Sequence, residues 1–286
     1  MIVDAHVHLY PPQIQATWEH IATREPYFGA LAQSSVHKWA QAEDLIARMD
    51  ADGVDCSWVC GFGFQDMGLC RECNDYVLDA ASRYPGRIVP LAVVPPLHRE
   101  VEEEVLRCRE AGCLGVGEIF PTGQGWSLTD IRQTWPLAGI CFETGMLLLV
   151  HTAEPVGHAY PGKGAEGPRE AVAFCEHHPE VSVVFAHWGG GLWLYELMPE
   201  LRVLLANAWY DTAATPFLYA PEIFAAAMAA GVGHKVLYGS DFPILGRDRY
   251  DRMLDKTSLS SGQREALLGR NAEALRRTLL AFREEA

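Results

Sequence analysis

Two histidines near the start of the chain, His6 and His8, have the spacing of a metal-binding pair. They directly follow Ile2–Ala5, a short apolar segment that is typical of a β-strand. Residues i and i+2 of a strand point the same way, so both imidazoles can reach one point in space. Imidazole is a common ligand of zinc and similar metals. Buried polar pairs with local partners have the same pattern, so the metal interpretation depends on the rest of the chain.

Four more side chains that can bind metal or transfer protons end apolar segments of strand length. They are Glu118, His151, His187 and Asp241. If these segments are parallel strands of one barrel, their carboxyl ends meet at the face where barrel active sites lie. Four histidines and two carboxylates there predict a divalent metal site, with room for one ion or a bridged pair. We expect zinc, with manganese as the alternative, because every donor is nitrogen or oxygen.

The elements that must position these residues alternate between strands and helices. Strands are expected at Ile2–Ala5, Val54–Cys60, Ile88–Val94, Leu114–Phe120, Met146–His151, Val181–His187, Val203–Asp211 and Val236–Asp241. Eight strands alternating with helices predict an α/β fold with a parallel sheet, and closure into a (β/α)8 TIM barrel suits a chain of 286 residues. An open doubly wound sheet is the alternative. No Gly-x-Gly-x-x-Gly follows any strand, which removes the main reason to prefer it.

We expect one domain over residues 1–286, with a long insertion at 9–41 after the first strand. The insertion shows no clean period and is rich in proline and aromatic residues. A segment of this kind can cover a site or form a subunit contact, so a homodimer stays open. The helical pattern of Gln263–Phe282 predicts one closing helix.

Composition limits the partners. The formal charge of −14 repels phosphate backbones and anionic membranes, so a small molecule is expected rather than nucleic acid. No apolar run approaches the length of a membrane span, and no basic, apolar leader precedes the first strand. We therefore expect a cytoplasmic protein whose eight cysteines are reduced core thiols. Cys70-x-x-Cys73 lies in a helical pattern without a second such pair, which favours a structural role.

Four motifs, taken in order, resemble the amidohydrolase superfamily. They are Asp4-Ala5-His6-Val7-His8, His151-Thr152-Ala153-Glu154-Pro155, Ala186-His187-Trp188-Gly189-Gly190 and Tyr238-Gly239-Ser240-Asp241-Phe242-Pro243. More narrowly, they are similar to its amidohydrolase-related branch, which includes aminocarboxymuconate-semialdehyde decarboxylase. Leu268–Glu273 resembles the closing helix of that branch, so the likeness extends from Ile2 to about Leu279. It implies a distorted barrel with a divalent metal.

The resemblance implies two alternative metal arrangements. Decarboxylase-like members imply one ion held by His6, His8, His151 and Asp241, with His187 free as an acid or base. Other branches place a bridging glutamate or modified lysine on the fourth strand, and Glu118 fits the glutamate version. A carboxylate that only orients a histidine is the alternative for Glu118.

Catalytic roles follow from these positions. Asp241 can take a proton from the nucleophile and pass it to the leaving group, while His187 polarises a carbonyl or stabilises an oxyanion. The loop after strand five offers His158, Tyr160 and Lys163 as substrate-binding residues, in a segment that also suits a solvated loop. Two more substrate-binding candidates, Trp188 and Arg247, follow strands six and eight. Tyr10, Phe120 and Trp126 belong either to an apolar pocket or to packing under loops.

Three functions compete. The first is a metal-dependent hydrolase that activates a metal-bound water against an amide, ester or lactone of a small, carboxylated molecule. The second is a non-oxidative decarboxylase of an aromatic or unsaturated acid on the same site. The third is a metal-binding protein without activity, which the intact ligand set disfavours. Glu118 favours hydrolysis, since a bridged metal pair makes a strong hydroxide nucleophile. Fold analogy alone does not choose between the first two.

Overall fold

The computed structural model describes residues 1–285 and contains eight parallel strands in sequential order. The strands, β1 to β8, are Val3–His8, Cys56–Cys60, Ile88–Ala92, Gly115–Ile119, Leu147–Val150, Val183–Phe185, Ala208–Asp211 and Val236–Leu237. Nearly every strand residue is buried, as expected for a parallel sheet that is covered on both faces.

Helices connect the strands on the outside. The α-helices, α1 to α14, are Pro12–Ala22, Pro26–Ala32, Ala42–Asp52, Met67–Arg83, Val101–Glu110, Pro121–Gln124, Ile131–Glu143, Pro168–His177, Pro199–Leu204, Thr215–Leu218, Glu222–Ala229, Arg247–Leu254, Ser261–Glu265 and Asn271–Glu285. Local sequence explains many of their ends. Prolines open α1, α2, α8 and α9 at the first turn, where the missing N–H is not needed. Gly53, at φ 65°, ends α3 in the left-handed conformation.

Hydrogen bonds between β1 and the residues around the end of β8 close the sheet. The Ala5 amide donates to the Tyr238 carbonyl at 2.7 Å, and the Asp241 amide donates to the His6 carbonyl at 3.0 Å. Register irregularities interrupt β1 and β4, and β8 has only two residues. The fold is therefore a distorted (β/α)8 TIM barrel, which confirms the predicted fold class.

Three segments differ from the sequence-based prediction. The expected seventh strand at Val203–Asp211 is wrong in its first half, because Pro199 opens α9 and the strand begins only at Ala208. The single closing helix expected at Gln263–Phe282 is divided by a π-helical turn at Ala266–Arg270. The insertion at 9–41 is partly helical. It shows no clean period because α1 buries only Ile14 and Ile21, seven residues apart.

All eight cysteines are buried and free, as expected for reduced core thiols. Cys70 and Cys73 lie inside α4 without a metal cluster around them, at least among residues 1–285. None of the helices in this described part combines the length and apolar composition that a membrane span requires.

Candidate active site

The first histidine pair lies in β1, with both rings directed to the same point. His6 Nε2 and His8 Nε2 are 3.1 Å apart. On the other side of each ring, His6 Nδ1 donates to Asp211 Oδ2 at 2.8 Å, and His8 Nδ1 donates to the Gly61 carbonyl at 3.0 Å. A carboxylate and a carbonyl can only accept, so each Nδ1 carries the proton and each Nε2 presents a lone pair.

A second histidine pair faces the first from β5 and β6. His151 Nδ1 and His187 Nε2 are 3.1 Å apart. His151 Nε2 donates to the Lys163 carbonyl at 3.2 Å, and His187 Nδ1 donates to the Ala213 carbonyl at 3.1 Å. These outer partners again fix the proton on the outer nitrogen, so the inner nitrogens are lone-pair donors.

Glu118 lies between the two pairs, with one oxygen toward each. Its Oε2 is 3.4 Å from His6 Nε2 and 3.3 Å from His8 Nε2. Its Oε1 is 2.9 Å from His151 Nδ1 and 3.2 Å from His187 Nε2. The carboxylate therefore has the position of a bridge between two ligand sets.

Asp241 completes the first set, with its Oδ1 3.9 Å from His6 Nε2 and 3.8 Å from His8 Nε2. The structure thus brings together all six metal ligands expected from the sequence. We call these six residues the floor: His6, His8, Glu118, His151, His187 and Asp241. Each is at most 8% exposed.

Two floor residues have left-handed backbone conformations. Asp241 has φ 65° and His187 has φ 98°, and positive φ continues from His187 through Gly191. A non-glycine residue in this region costs roughly 1–2 kcal/mol, and such outliers concentrate at functional sites. Gly190 is needed in this turn because a Cβ there would lie 2.3 Å from the Ala153 carbonyl oxygen. Gly117, at φ 138°, is needed before Glu118 because its Cβ would lie 2.2 Å from the Leu149 carbonyl oxygen.

The carboxylates and imidazoles of the floor form an environment that favours a bound cation. Burial raises the pKa of Glu118, but His6 and His151 outweigh it and hold that pKa well below its usual range. Burial lowers the pKa of His187, yet Glu118 reverses this effect and raises it to about 9. In each pair two ring nitrogens lie 3.1 Å apart, and a carboxylate oxygen of Glu118 lies beside them, so nitrogen and oxygen donors converge as they would around a cation. The donor set fits divalent metal, in two overlapping groups: His6, His8 and Asp241, and His6, Glu118 and His187.

Two further residues hold the floor in place. Asp211 ends β7 fully buried and accepts from the His6 ring and from the His187 amide, the latter at 3.2 Å. Cys60 ends β2, lies 3.4 Å from His8 Nδ1, and accepts from the Glu118 amide at 3.3 Å. Neither residue was among the site residues expected from the sequence, and Cys60 was expected only as a core thiol. Their shared signal was the position at the end of a strand.

A cavity of about 400 Å³ opens above the floor. Its sides are mostly apolar, and the Phe62 and Phe120 rings stack with centroids 4.7 Å apart. We call its large apolar and aromatic residues the wall: Tyr10, Leu31, Val36, Phe62, Phe120, Tyr160, Phe217, Leu218 and Ile244. The insertion at 9–41 supplies the first three, so this segment covers the site.

The structure brings only some of the predicted substrate-binding residues to the cavity. His158 and Tyr160 line it. Lys163 does not, because its ammonium donates to two carbonyls of its own loop. Trp188 is fully buried in the core, where its indole N–H donates to Thr215. Arg247 turns toward α3, with its amide 3.0 Å from an Asp52 carboxylate oxygen.

Tyr10 and Phe120, for which packing under loops was the alternative, belong to the wall. Trp126 is instead buried in the core, with its indole N–H donating to the Gln133 carbonyl.

Comparison with known families agrees with this geometry. The sequence matches the family model described as amidohydrolase over residues 3–277. The chain belongs to the amidohydrolase family. This confirms the resemblance found in the motifs. Among proteins of curated function, none matches the sequence at a significant level.

Solved structures share the fold of this amidohydrolase-family chain at low identity. A 5-carboxyvanillate decarboxylase from Novosphingobium aromaticivorans, complexed with manganese and 4-hydroxy-3-methoxy-5-nitrobenzoic acid, has a TM-score of 0.75 and 18% identity, covering 97% of this chain and 96% of its own. A 2,6-dihydroxybenzoate decarboxylase from Rhizobium has a TM-score of 0.73 and 16% identity, covering 97% and 98%. A probable 2-pyrone-4,6-dicarboxylic acid hydrolase from Acinetobacter baumannii, with citric acid bound, has a TM-score of 0.61 and 16% identity, covering 96% and 98%.

Proposed function

We propose that this amidohydrolase-family chain is a metal-dependent decarboxylase of an aromatic carboxylic acid. The observation that carries the proposal is the cavity, in which a wall rich in aromatic residues stands directly above the floor. Such a space suits a flat ring with its acid group directed at the floor. The decarboxylases among the similar structures support this choice over the hydrolase favoured by the sequence.

The floor would hold the metal. His6, His8 and Asp241 would bind one ion, with Glu118 and the second histidine pair available for another. When bound, a divalent ion supplies positive charge that anchors the acid group and stabilises negative charge developing on substrate oxygen. Nitrogen and oxygen donors accept zinc or manganese. The manganese in the 5-carboxyvanillate decarboxylase structure keeps that alternative beside zinc.

Asp241 is the proposed proton donor. It borders the cavity at 8% exposure, so its carboxyl faces the space that the ring would occupy. In the reaction, the protonated carboxyl of Asp241 delivers its proton to the ring carbon that bears the acid group. The bond between that carbon and the carboxylate then breaks, its electron pair restores the aromatic ring, and CO2 leaves. His187, on the opposite side of Glu118, is placed to stabilise a substrate oxygen.

The wall orients the ring and limits water. Phe62 and Phe120 present a stacked pair, and the Tyr27 ring lies 5.6 Å from Phe120 behind them. Holding the ring against such faces aligns the reacting carbon with Asp241, which is the positioning part of catalysis. The floor residues would therefore carry out the reaction, and the wall residues would orient the substrate ring.

A panel of substrates tests this function. Metal-loaded protein is incubated with hydroxylated benzoic acids, and products are followed by chromatography and by release of CO2. We expect the decarboxylated phenol from at least one member, and no product after the metal is removed with a chelator. Metal-loaded protein that releases no CO2 from any aromatic acid, but opens lactones in a parallel panel, would contradict the proposal.

Hydrolysis is the second candidate, and the position of Glu118 favours it. Its two oxygens face the two histidine pairs separately, which suits a bridged metal pair of the kind that activates water. The number of ions distinguishes the candidates. Saturated wild-type protein with about two ions per chain, and about one in Glu118→Gln, supports the bridged arrangement. Wild-type protein that never exceeds one ion supports the decarboxylase-like arrangement.

A further inference from the structure

The cavity contains no cationic side chain of its own. None of the residues that line it, all within the described part of the chain, is a lysine or an arginine. Apart from the floor, its polar side chains are two serines, two histidines and two tyrosines. The one place where a carboxylate can find positive charge is therefore the floor, through bound metal.

Three cations on neighbouring segments, Lys38, Lys163 and Arg249, are not among the residues that line the cavity. Lys38 donates to the Ile244 carbonyl at 3.0 Å, and Lys163 donates to two carbonyls of its own loop at 2.7 and 3.1 Å. The Arg249 guanidinium lies outside the wall, 5.8 Å from the ring of Phe217. Each of these groups already has a partner or lies beyond the cavity surface, so none forms a clamp for an acid group.

The partly buried imidazole beside the wall, His37, is also uncharged. Burial, with a smaller effect of His8, lowers the pKa of His37 to about 4, so this imidazole is neutral near pH 7. Burial raises the pKa of the Tyr160 hydroxyl, which keeps it protonated. These groups can exchange hydrogen bonds with a neutral substituent, but they do not balance a full negative charge.

A second carboxylate on the ligand would therefore be strongly disfavoured. Moving a carboxylate out of water without a cationic partner is costly, and Asp241 and Glu118 add negative charge at the base of the cavity. The formal charge of −14 works in the same direction over the whole surface.

We infer that the substrate is an aromatic monocarboxylate whose far end carries only neutral groups such as hydroxyl or methoxy. A second carboxylate on the ring meets no lysine or arginine along the same wall, so a diacid should bind more weakly. This inference rests on the proposed function only for the position of the first acid group at the floor.

Matched ligands test the inference by binding alone. Terephthalate and monomethyl terephthalate have nearly the same shape, and the ester lacks one charge. Isophthalate and its monomethyl ester form a second pair. In titration calorimetry with metal-loaded protein, we expect each ester to bind at least about tenfold more tightly than its diacid. A diacid that binds as tightly as its ester would overturn the inference, as would failure of all four compounds to bind.

A designed variant tests the cause. His37→Arg places a cation in the cavity and should reverse the preference within each pair, so that the diacid becomes the tighter ligand. If this variant does not fold, Ser35→Arg replaces it, because Ser35 lines the cavity and is exposed. Val203→Arg adds the same charge at a residue that is 78% exposed on α9, and should leave the ratio unchanged. An unchanged ratio in a folded cavity variant would contradict the account.

The binding and turnover assays test the charge selectivity and the proposed function separately. If the esters bind more tightly but no aromatic acid is decarboxylated, the proposed function is wrong and the charge selectivity stands. If decarboxylation is observed and the diacids bind as well as the esters, the selectivity is wrong and the function stands.

Discussion

The floor and the wall of the cavity differ in how the protein holds them. Every histidine of the floor lies on a strand or within two residues of its end, and its outer nitrogen is bonded to an oxygen acceptor. Much of the wall comes from the insertion at 9–41 and from the connections after β5 and β7, and two wall residues, Val36 and Phe217, are 46% and 45% exposed. The barrel thus positions the candidate metal ligands, while the longer connections supply many of the residues that would contact the substrate.

This division predicts different consequences for substitutions in the two regions. Changes in the floor should affect turnover and metal content, since those side chains are rigid and buried. Changes in the wall should affect ligand affinity and leave the metal in place. The predictions below proceed from the largest expected effect to the smallest.

Asp241→Asn should have the largest effect. Asparagine keeps the shape and one ligand oxygen but cannot transfer the proton, so turnover should fall by about 10²–10⁴-fold while KM changes little. Steady-state kinetics and metal analysis on the same sample check this. A fully metallated variant with near wild-type turnover would show that Asp241 is structural.

Asp211→Asn should weaken metal binding by about 10–100-fold. An amide in place of the carboxylate can present N–H to His6 Nδ1–H and disturb the tautomer that directs the lone pair inward. Competition with a chelating dye measures the affinity. Asp55→Asn is the matched control, because Asp55 is exposed and its carboxylate contacts the N-terminal residues Met1 and Ile2, away from the floor. Equal affinities in both variants would remove Asp211 from the account.

Tyr27→Phe should increase the rate of proteolysis of the loop after β5 by a few-fold. The Tyr27 hydroxyl donates to the Gly162 carbonyl at 2.8 Å, and the next carbonyl, of Lys163, accepts from the His151 ring. We expect faster trypsin cleavage after Lys163 and a small rise in KM, because the loop loses an anchor. Tyr76→Phe is the control, since its hydroxyl bonds to the Ala42 amide elsewhere in the fold. Identical cleavage rates in both variants would argue against this coupling.

The smallest expected effect is the pH dependence of stability that His37 contributes. Its pKa is about 4 in the folded protein and 6.5 in its ordinary state. Between these values the unfolded chain takes up a proton that the folded chain does not, so stability falls as pH decreases from 6.5 toward 4. His37→Asn should lose this contribution. Urea titrations at several pH values measure the unfolding free energy of both proteins. The difference, wild type minus variant, should become smaller as the pH decreases from 6.5 toward 4.

Topology explains why the floor could be predicted from the sequence. His6 and Glu118 lie in the carboxyl-terminal halves of β1 and β4, and His151 directly follows β5. Eight parallel strands bring such positions to one face of a barrel, whatever the loops do. The same rule would have included Asp211 and Cys60, had strand ends been considered regardless of residue type. The positions of polar residues at strand ends are thus the feature of the site that the sequence predicts best.

The substrate-binding residues could not all be predicted in the same way, because the direction of a side chain beyond a strand end depends on local turns and distant partners. Trp188 follows His187 in a left-handed turn that directs its indole into the core. Arg247 is drawn to Asp52 at the end of α3, which is distant in sequence. The spacing of residues in the sequence does not predict either of these partners. Secondary-structure propensity also does not predict a run of five consecutive residues with positive φ.

The central claim is that the floor binds a divalent metal, and elemental analysis tests it most directly. Wild-type protein and the His6→Ala/His8→Ala variant are loaded with zinc or manganese, freed of excess metal by gel filtration, and checked for folding by circular dichroism. We expect roughly one or two ions per wild-type chain and the loss of at least one in the folded variant. Unchanged metal content in that variant would contradict the account.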